Sequence, residues 1–353
     1  MPRFRIESDA HGDCKVPAEA YFGARTQRAL ASGPSCGQRM GGRFTWAMGL
    51  IKRSCCEANE VLGTLDVARA EWIATAAQEV MDGRLDDAFP LDLLQMGARD
   101  AAHANVDEVI ANRAIELMGG EMGSRDPIDP DAHVRLDQDA AGVVRAAVHV
   151  SLAALLTEEL LPAVRGLGEA LESLEDDGLR RWVEPTQRAL RAAEGARDAL
   201  LVLSLGDSDS AMAPGAVERI ADEAELPFRC AGEGEDEGED EDEGDGSAVR
   251  RAGALLQQTA DALQPLAVTL GAHNASDPTA ARLAQLAAAC DRVRGSGPAP
   301  GAPAAPGPED TGALLLRADA LQRALRLLAL TTRAVTADDL TRLRALEASA
   351  HPG

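Results

Sequence analysis

Among the six histidines, the side chains best able to exchange protons near neutral pH, His103, His133 and His149 fall within the first 150 residues, between helical patterns or on them. No serine or cysteine nucleophile stands at a recognisable spacing from any of them, so each reads as a surface or core histidine rather than a base. The six cysteines, Cys14, Cys36, Cys55, Cys56, Cys230 and Cys290, form no C-x-x-C pair and no Cys/His ligand cluster. No metal and no cofactor is expected. Cys55 and Cys56 are neighbours on a predicted helix, about 100° apart around its axis, and read as packing residues. Gly119-Gly120-Glu121-Met122-Gly123 lacks the lysine of a phosphate loop and follows a helical pattern instead of a strand, so it reads as a turn.

The elements that must position these groups are helices. The chain has 353 residues, of which 45% are hydrophobic and only 3% aromatic, so its core must be aliphatic. Its richness in Ala, Leu, Val and Arg favours helix over sheet. Thirty-five basic against 58 acidic residues give a net charge of -23, which repels phosphate backbones and anionic bilayers; neither nucleic acid nor membrane is an expected partner. The first ten residues are mostly polar, and the longest uncharged apolar run, Ala146 to Thr157, is shorter than the roughly 20 residues of a membrane span. A cytoplasmic location is expected.

Helical periodicity predicts helices over Thr45 to Leu62, Ala68 to Met81 and Asn105 to Met118, the last stopped by Gly119-Gly120. Val143 to Leu174 reads as one long helix, apolar nearly all round in its first half and therefore interior. Further helices are predicted at Pro185 to Leu205, Pro214 to Glu225, Ala248 to Leu270, Thr279 to Arg294 and Gly312 to Arg333. Glu233 to Gly246 holds ten carboxylates in fourteen residues and reads as a solvated loop. Gly295 to Pro308, broken by five prolines, reads as a semi-extended linker.

Several stretches, in order and at family spacing, carry a resemblance: RIESD at Arg5 to Asp9, VPAEAYFGARTQRAL at Val16 to Leu30, LDDAFPLDLLQMG at Leu85 to Gly97 and NVDEVIANRAIELMGG at Asn105 to Gly120. IDPDAHV at Ile128 to Val134 and AAVHV at Ala146 to Val150 extend it. On these motifs the first 150 residues resemble the fumarase/aspartase superfamily, most closely class II fumarases and aspartate ammonia-lyases. The likeness is thinner at Leu203 to Gly206, Pro214 to Phe228 and Ser296-Gly297-Pro298. It implies an all-α fold. A fumarase/lyase-like N-terminal helical domain is expected over 1–142. An elongated antiparallel helix bundle should follow over 143–336, interrupted by the acidic loop 233–246 and the linker 295–308. A short C-terminal helix and tail are expected over 337–353, with the family's small C-terminal domain missing.

The family reaction, as the resemblance implies, removes a proton next to a carboxylate and expels water or an amine from the neighbouring carbon. Its site must supply oriented donors for the developing charge and a base for the proton. At the family's Q-T-G-S-G-T loop this chain has Gln95-Met96-Gly97-Ala98-Arg99-Asp100, without the hydroxyls. At S-Q-S-S-N-D-V it has Asp137-Gln138-Asp139-Ala140-Ala141-Gly142-Val143, and the histidine of H-P-N-D is Asp129. With Asn105, these positions make up the expected remnant of the substrate cleft. No histidine falls between His149 and His273, where the family's relay histidine belongs. Counted from Ser296-Gly297-Pro298, the mobile-loop signature falls on Gly312 to Leu321, with Ala313 at the base position and Asp319 at the lysine position. The chain's two lysines are Lys15 and Lys52.

Asp100, Asp129, Asp137, Asp139 and Asp319 thus put acceptor-only carboxylates at positions of the expected cleft, mostly where the family has donors. Two like charges about 4 Å apart repel by about 4 kcal/mol at an effective dielectric near 20, several hundred-fold in affinity. Arg99, Arg135 and Arg145 are the expected partners of these aspartates. Three readings follow. The first is a structural or regulatory pseudoenzyme subunit, in a homo-oligomer or a hetero-oligomer with an active fumarase-type paralogue, because family sites are assembled from three subunits. The second is a C–O or C–N lyase of changed specificity, with Asp100, Asp137 or Asp139 buried as base. The third is a gene product losing its function.

Overall fold

The computed structural model describes residues 3–32, 35–39, 41–96, 100–174, 176–203, 212–230, 247–271, 278–296, 311–336 and 339–341. The acidic stretch 233–246 and most of 295–308 and 337–353 lie outside them. The chain divides into two compact units: Met1–Ser151 with Leu201–Asp245 and Pro308–Leu316, and Leu152–Leu200 with Gly246–Gly307 and Arg317–Gly353. The boundary expected at 142 falls inside a helix, since α6 spans Ala140–Leu155.

The first unit opens with an antiparallel hairpin that the helical patterning did not single out, β1 (Phe4–Asp9) on β2 (Gly12–Pro17), paired from Phe4↔Pro17 to Asp9↔Gly12. Helix α1 (Ala24–Ser32) follows; then come α2 (Gly42–Leu62), α3 (Val67–Met81), the single-turn α4 (Leu93–Met96) and α5 (Ala101–Leu117). Helix α5 ends where Gly119 takes φ +79°, letting the N–H groups of Gly119 and Gly120 close back on the carbonyls of Glu116 and Ile115. Helix α10 (Ala216–Ala224) packs against α2, and two-residue strands β3 (Val202–Leu203) and β4 (Arg229–Cys230) pair in parallel.

Fourteen of the 17 residues of α5 are buried, so its charged side chains must find partners inside the protein. Glu108 does so at the start of α1. Its carboxylate accepts the N–H groups of Gly23 (2.8 Å), Arg25 (2.8 Å) and Thr26 (3.2 Å) and the Thr26 hydroxyl (2.7 Å), while Glu7 from β1 accepts the Ala24 N–H at 3.0 Å. Two carboxylates from distant segments therefore cap a helix whose preceding residue, Gly23, has no side chain to offer. A Cβ at Gly23 would lie 2.5 Å from a Glu7 oxygen and 2.8 Å from Glu108 Cδ, so this approach requires glycine. Arg5 holds the incoming loop, donating to Glu7 and to the carbonyls of Pro17, Ala18, Ala20 and Phe22 at 2.7–3.0 Å.

The expected single helix over 143–174 is interrupted. A π-turn at Leu156–Leu160 separates α6 from α7 (Leu161–Ser173). Pro162 has no N–H for the Glu158 carbonyl, and the preceding turn relaxes to a five-residue bond from Leu161 N–H to the Leu156 carbonyl. The Ala140–Ser173 stretch is long and apolar enough to cross a membrane, yet 83% of its most apolar window is buried, as in a core helix. After the short α8 (Asp177–Arg180), helices α9 (Val183–Leu200), α11 (Ser247–Gly271) and α12 (Pro278–Ser296) run antiparallel to their predecessors. Bonds Gln187 to Glu172, Thr259 to the Ala189 carbonyl and Gln257 to the Arg294 carbonyl fix that alternation, with α13 (Thr311–Arg333) following. Gly295 and Ser296, read from sequence as linker, form the last turn of α12.

Removing the Glu108 cap strands three buried N–H groups and a hydroxyl. Glu108→Ala should lower unfolding free energy by about 3 kcal/mol or more, read from the urea midpoint, whereas Lys15→Ala on the exposed face of β2 should stay within about 0.5 kcal/mol.

Candidate functional site

A buried group of ionisable side chains in the first unit lies between α2, α5 and the segment entering α6. Lys52 sits in the buried stripe of α2 with Met48, Cys55 and Asn59, and its side chain is 0% exposed. Its Nζ lies 2.6 Å from Asp107 Oδ1 and 2.6 Å from Gln138 Oε1, and it contacts Nε2 of His103. Asp107 is equally buried and also takes Arg135 Nε at 3.0 Å. His103 and Asp107 are one helical turn apart on α5, with Nδ1 and Oδ2 3.8 Å from each other. Three acceptors converge on the ammonium, so the imidazole offers Nε2 as acceptor and carries its proton on Nδ1.

Burial pushes the His103 pKa down to about 3, with Asp107 pulling the other way, so the ring is neutral. Burial also lowers the Lys52 ammonium, against the pull of Asp107. For Asp107, burial alone would raise the carboxyl, but His103, Lys52 and Arg135 outweigh it and hold the group below the ordinary range. This is a locked ion cluster. Its carboxylate is already shared between two cations, which leaves it a poor proton acceptor.

The cleft positions expected from sequence are distributed differently. Asp129 caps the π-turn Pro130–Val134: its carboxylate accepts the N–H groups of Asp131 (2.8 Å) and Ala132 (2.9 Å) and pairs with Arg125 at 2.7 Å. Burial raises its pKa, but Arg125 and the backbone donors bring it below the usual range. Asp139 is exposed and accepts the Gly142 N–H at 2.6 Å in the first turn of α6, beside Ala140 and Ala141. Asp137 and Asp100 are exposed and hold left-handed φ values of +53° and +60°. Asn105 is buried on another face of α5, reaching the Ala88 carbonyl at 3.3 Å. Among the described cleft positions, Gln138 alone joins the Lys52 cluster. Ala98 and Arg99 lie outside the described residues.

Ala313 and Asp319 both lie within helix α13, not on a loop. Ala313 is exposed, and the buried Asp319 pairs with Arg323 at 2.7 Å. The arginines that neutralise the aspartates also differ from expectation. Arg125 and Arg323 hold Asp129 and Asp319, whereas Arg135 is spent on Asp107. The expectation that Asp100, Asp137 or Asp139 is buried is therefore corrected: all three are exposed, because each flanks a helix start where the chain meets solvent.

Lys52 and Asp107 were not singled out from sequence. A signal was available, since Lys52 interrupts an otherwise apolar helical stripe and Asp107 follows His103 by four residues. His149 donates Nδ1–H to the Val202 carbonyl at 3.0 Å, and burial pushes its pKa down to about 4. His133 Nδ1 accepts the Asp129 N–H at 2.8 Å. The Cys55 and Cys56 thiols are buried and pushed up to about 11 and about 12, as packing residues are.

Residues 12–177 match the lyase family. The class II fumarate hydratase of Brucella suis is 43% identical over 176 residues, covering 50% of this chain and 38% of the relative. That of Halobacterium salinarum is 40% identical over 173 residues, 49% of this chain and 37% of the relative. The chain thus spans little more than a third of the curated relatives it matches. Among solved structures, class II fumarase from Schistosoma mansoni superposes with TM-score 0.78 at 20% identity, over 97% of this chain and 87% of that one. Fumarate lyase:delta crystallin from Brucella melitensis gives 0.81 at 21%, over 97% and 90%. At that identity the likeness is one of fold.

Asp107→Asn leaves a buried ammonium without its counter-charge and should cost about 3–5 kcal/mol in urea unfolding. Acid should also destabilise the fold. His103 and His149 stay neutral when folded, whereas in the unfolded chain they protonate near the ordinary 6.5; from there down to about 3 and about 4 the unfolded state binds more protons. Their contribution is therefore full above pH 6.5 and falls by about 1.4 kcal/mol per pH unit for each ring below it. His103→Gln should remove one ring's share of that slope between about pH 6 and pH 5.

Proposed function

Because the chain belongs, through residues 12–177, to the fumarase/aspartase superfamily, we propose that it serves as a non-catalytic subunit of a fumarase-type assembly. One observation carries the reading. Asp129, at a position where the resemblance puts a substrate-binding group, is a carboxylate already committed to two backbone N–H groups and Arg125. An incoming dicarboxylate would meet negative charge there, and at Asp139 and Asp137, without the hydroxyl donors the reaction needs. Lysine is equally short: Lys52 is locked in the core and Lys15 lies on the hairpin. The base and lysine positions, Ala313 and Asp319, offer a methyl group and a carboxylate bound to Arg323.

The alternative, a lyase of changed specificity, needs a sequestered carboxylate with a free oxygen. Asp100, Asp137 and Asp139 are exposed on the single chain, so that reading requires a partner subunit to cover one of them. The subunit reading also asks for a partner, either a second copy of this chain or an active fumarase-type relative whose site it would complete or cap.

The purified chain should give no change in ultraviolet absorbance above buffer with fumarate, L-malate or L-aspartate; a turnover of about 1 per second or faster would overturn the proposal. Mixed with a full-length fumarase-type relative from its own host, it should give a hetero-oligomer in native mass spectrometry. Two separate homomeric masses would refute the hetero-oligomeric form of it.

A further inference from the structure

The second unit carries a groove that the subunit reading does not use. Helices α9 and α11 lie antiparallel, with Leu255 where a Cβ on Gly195 would meet it and Thr259 bonded to the Ala189 carbonyl. Beside this seam, Trp182, Pro185 and Ala192 face Leu255, Ala262 and Pro265 across a space of about 720 Å³, within the usual range for small-molecule sites. The lining residues recur at helical spacing of three and four on each helix, and the two alanines open the hollow between larger neighbours.

The rim is cationic on a chain whose net charge is -23. Arg188 and Arg191 line it, both exposed, and the Arg181 guanidinium lies 5.3 Å from the centre of the Trp182 ring. Asp261, which also lines the groove, pairs with Arg294 at 2.9 Å and Glu184 meets Arg188 at 3.3 Å, both between largely exposed side chains and both weak, so Arg181, Arg188 and Arg191 outnumber the acids Glu184 and Asp261 along the rim. Arg191 makes no ion pair among the described residues. The Trp182 indole N–H is a buried donor with no acceptor among them.

We propose that this groove binds an amphiphilic organic anion, with an apolar body seated against Trp182, Pro185 and Pro265 and a single carboxylate or sulfonate head held by Arg188 and Arg191. The planar guanidinium fork suits such a head, and the indole and proline rings supply rigid apolar walls.

The test uses the intact chain with two probes, anilinonaphthalene sulfonate and octanoate. Expected is saturable enhancement of the sulfonate's fluorescence, displaced by octanoate but not by octyltrimethylammonium. The double variant Arg188→Glu/Arg191→Glu should weaken binding at least about tenfold, and Ala262→Leu, which fills the groove floor, should do the same while the urea midpoint stays unchanged. Equal displacement by the cation, or unaltered affinity in both variants, would overturn the proposal. So would a concentration-dependent doubling of mass that abolishes probe binding, which would assign the groove to a contact between copies.

Discussion

Two adjacent carboxylates buried on α5 set the terms for the first unit. A charge removed from water must be met by donors or an opposite charge, and neighbouring helical positions point about 100° apart. Asp107 and Glu108 therefore reach into different surroundings. One gathers Lys52, Arg135 and, through Lys52, Gln138, tying α2 to the segment that enters α6. The other ends α1 and fixes the path of the loop that Arg5 supports.

The family-like motifs and this network largely coincide. Arg5, Glu7, Gly23, Thr26, Glu108 and Asn112 all lie in the matching stretches, and each is engaged in holding the hairpin, α1 and the α5 exit together. The departures fall elsewhere. Asp129 and Asp139 accept backbone N–H groups at turn and helix starts, where a short acidic side chain stabilises the local structure. Both aspartates thus have a structural use at the positions they occupy.

Net charge is a poor guide to local electrostatics here. A strongly acidic chain still presents an arginine-edged groove on α9 and α11, because arginines outnumber acids locally along that rim. Likewise Asp129 and Asp319 pair with Arg125 and Arg323, each four residues away on the same local segment, instead of with Arg135.

What the sequence determined was local. The longer helices from α2 to α13 follow from apolar spacing three and four residues apart, though not the single-turn α4 and α8 or the π-turn between α6 and α7, and the stop after α5 follows from Gly119; the motifs carried the family resemblance for the same reason, being contiguous runs. Tertiary structure decided whatever depends on residues far apart. Helix α1 is nine residues long and its cap comes from Glu108, more than 80 positions away. Strand β1 exposes Phe4 and Ile6 and turns Arg5 and Glu7 inward, so its alternation marks no apolar buried face. Lys52 and Asp107, 55 positions apart, become a pair only when α2 and α5 pack. Periodicity is written into near neighbours, whereas the partner of a buried charge is chosen by the packing that excludes its water.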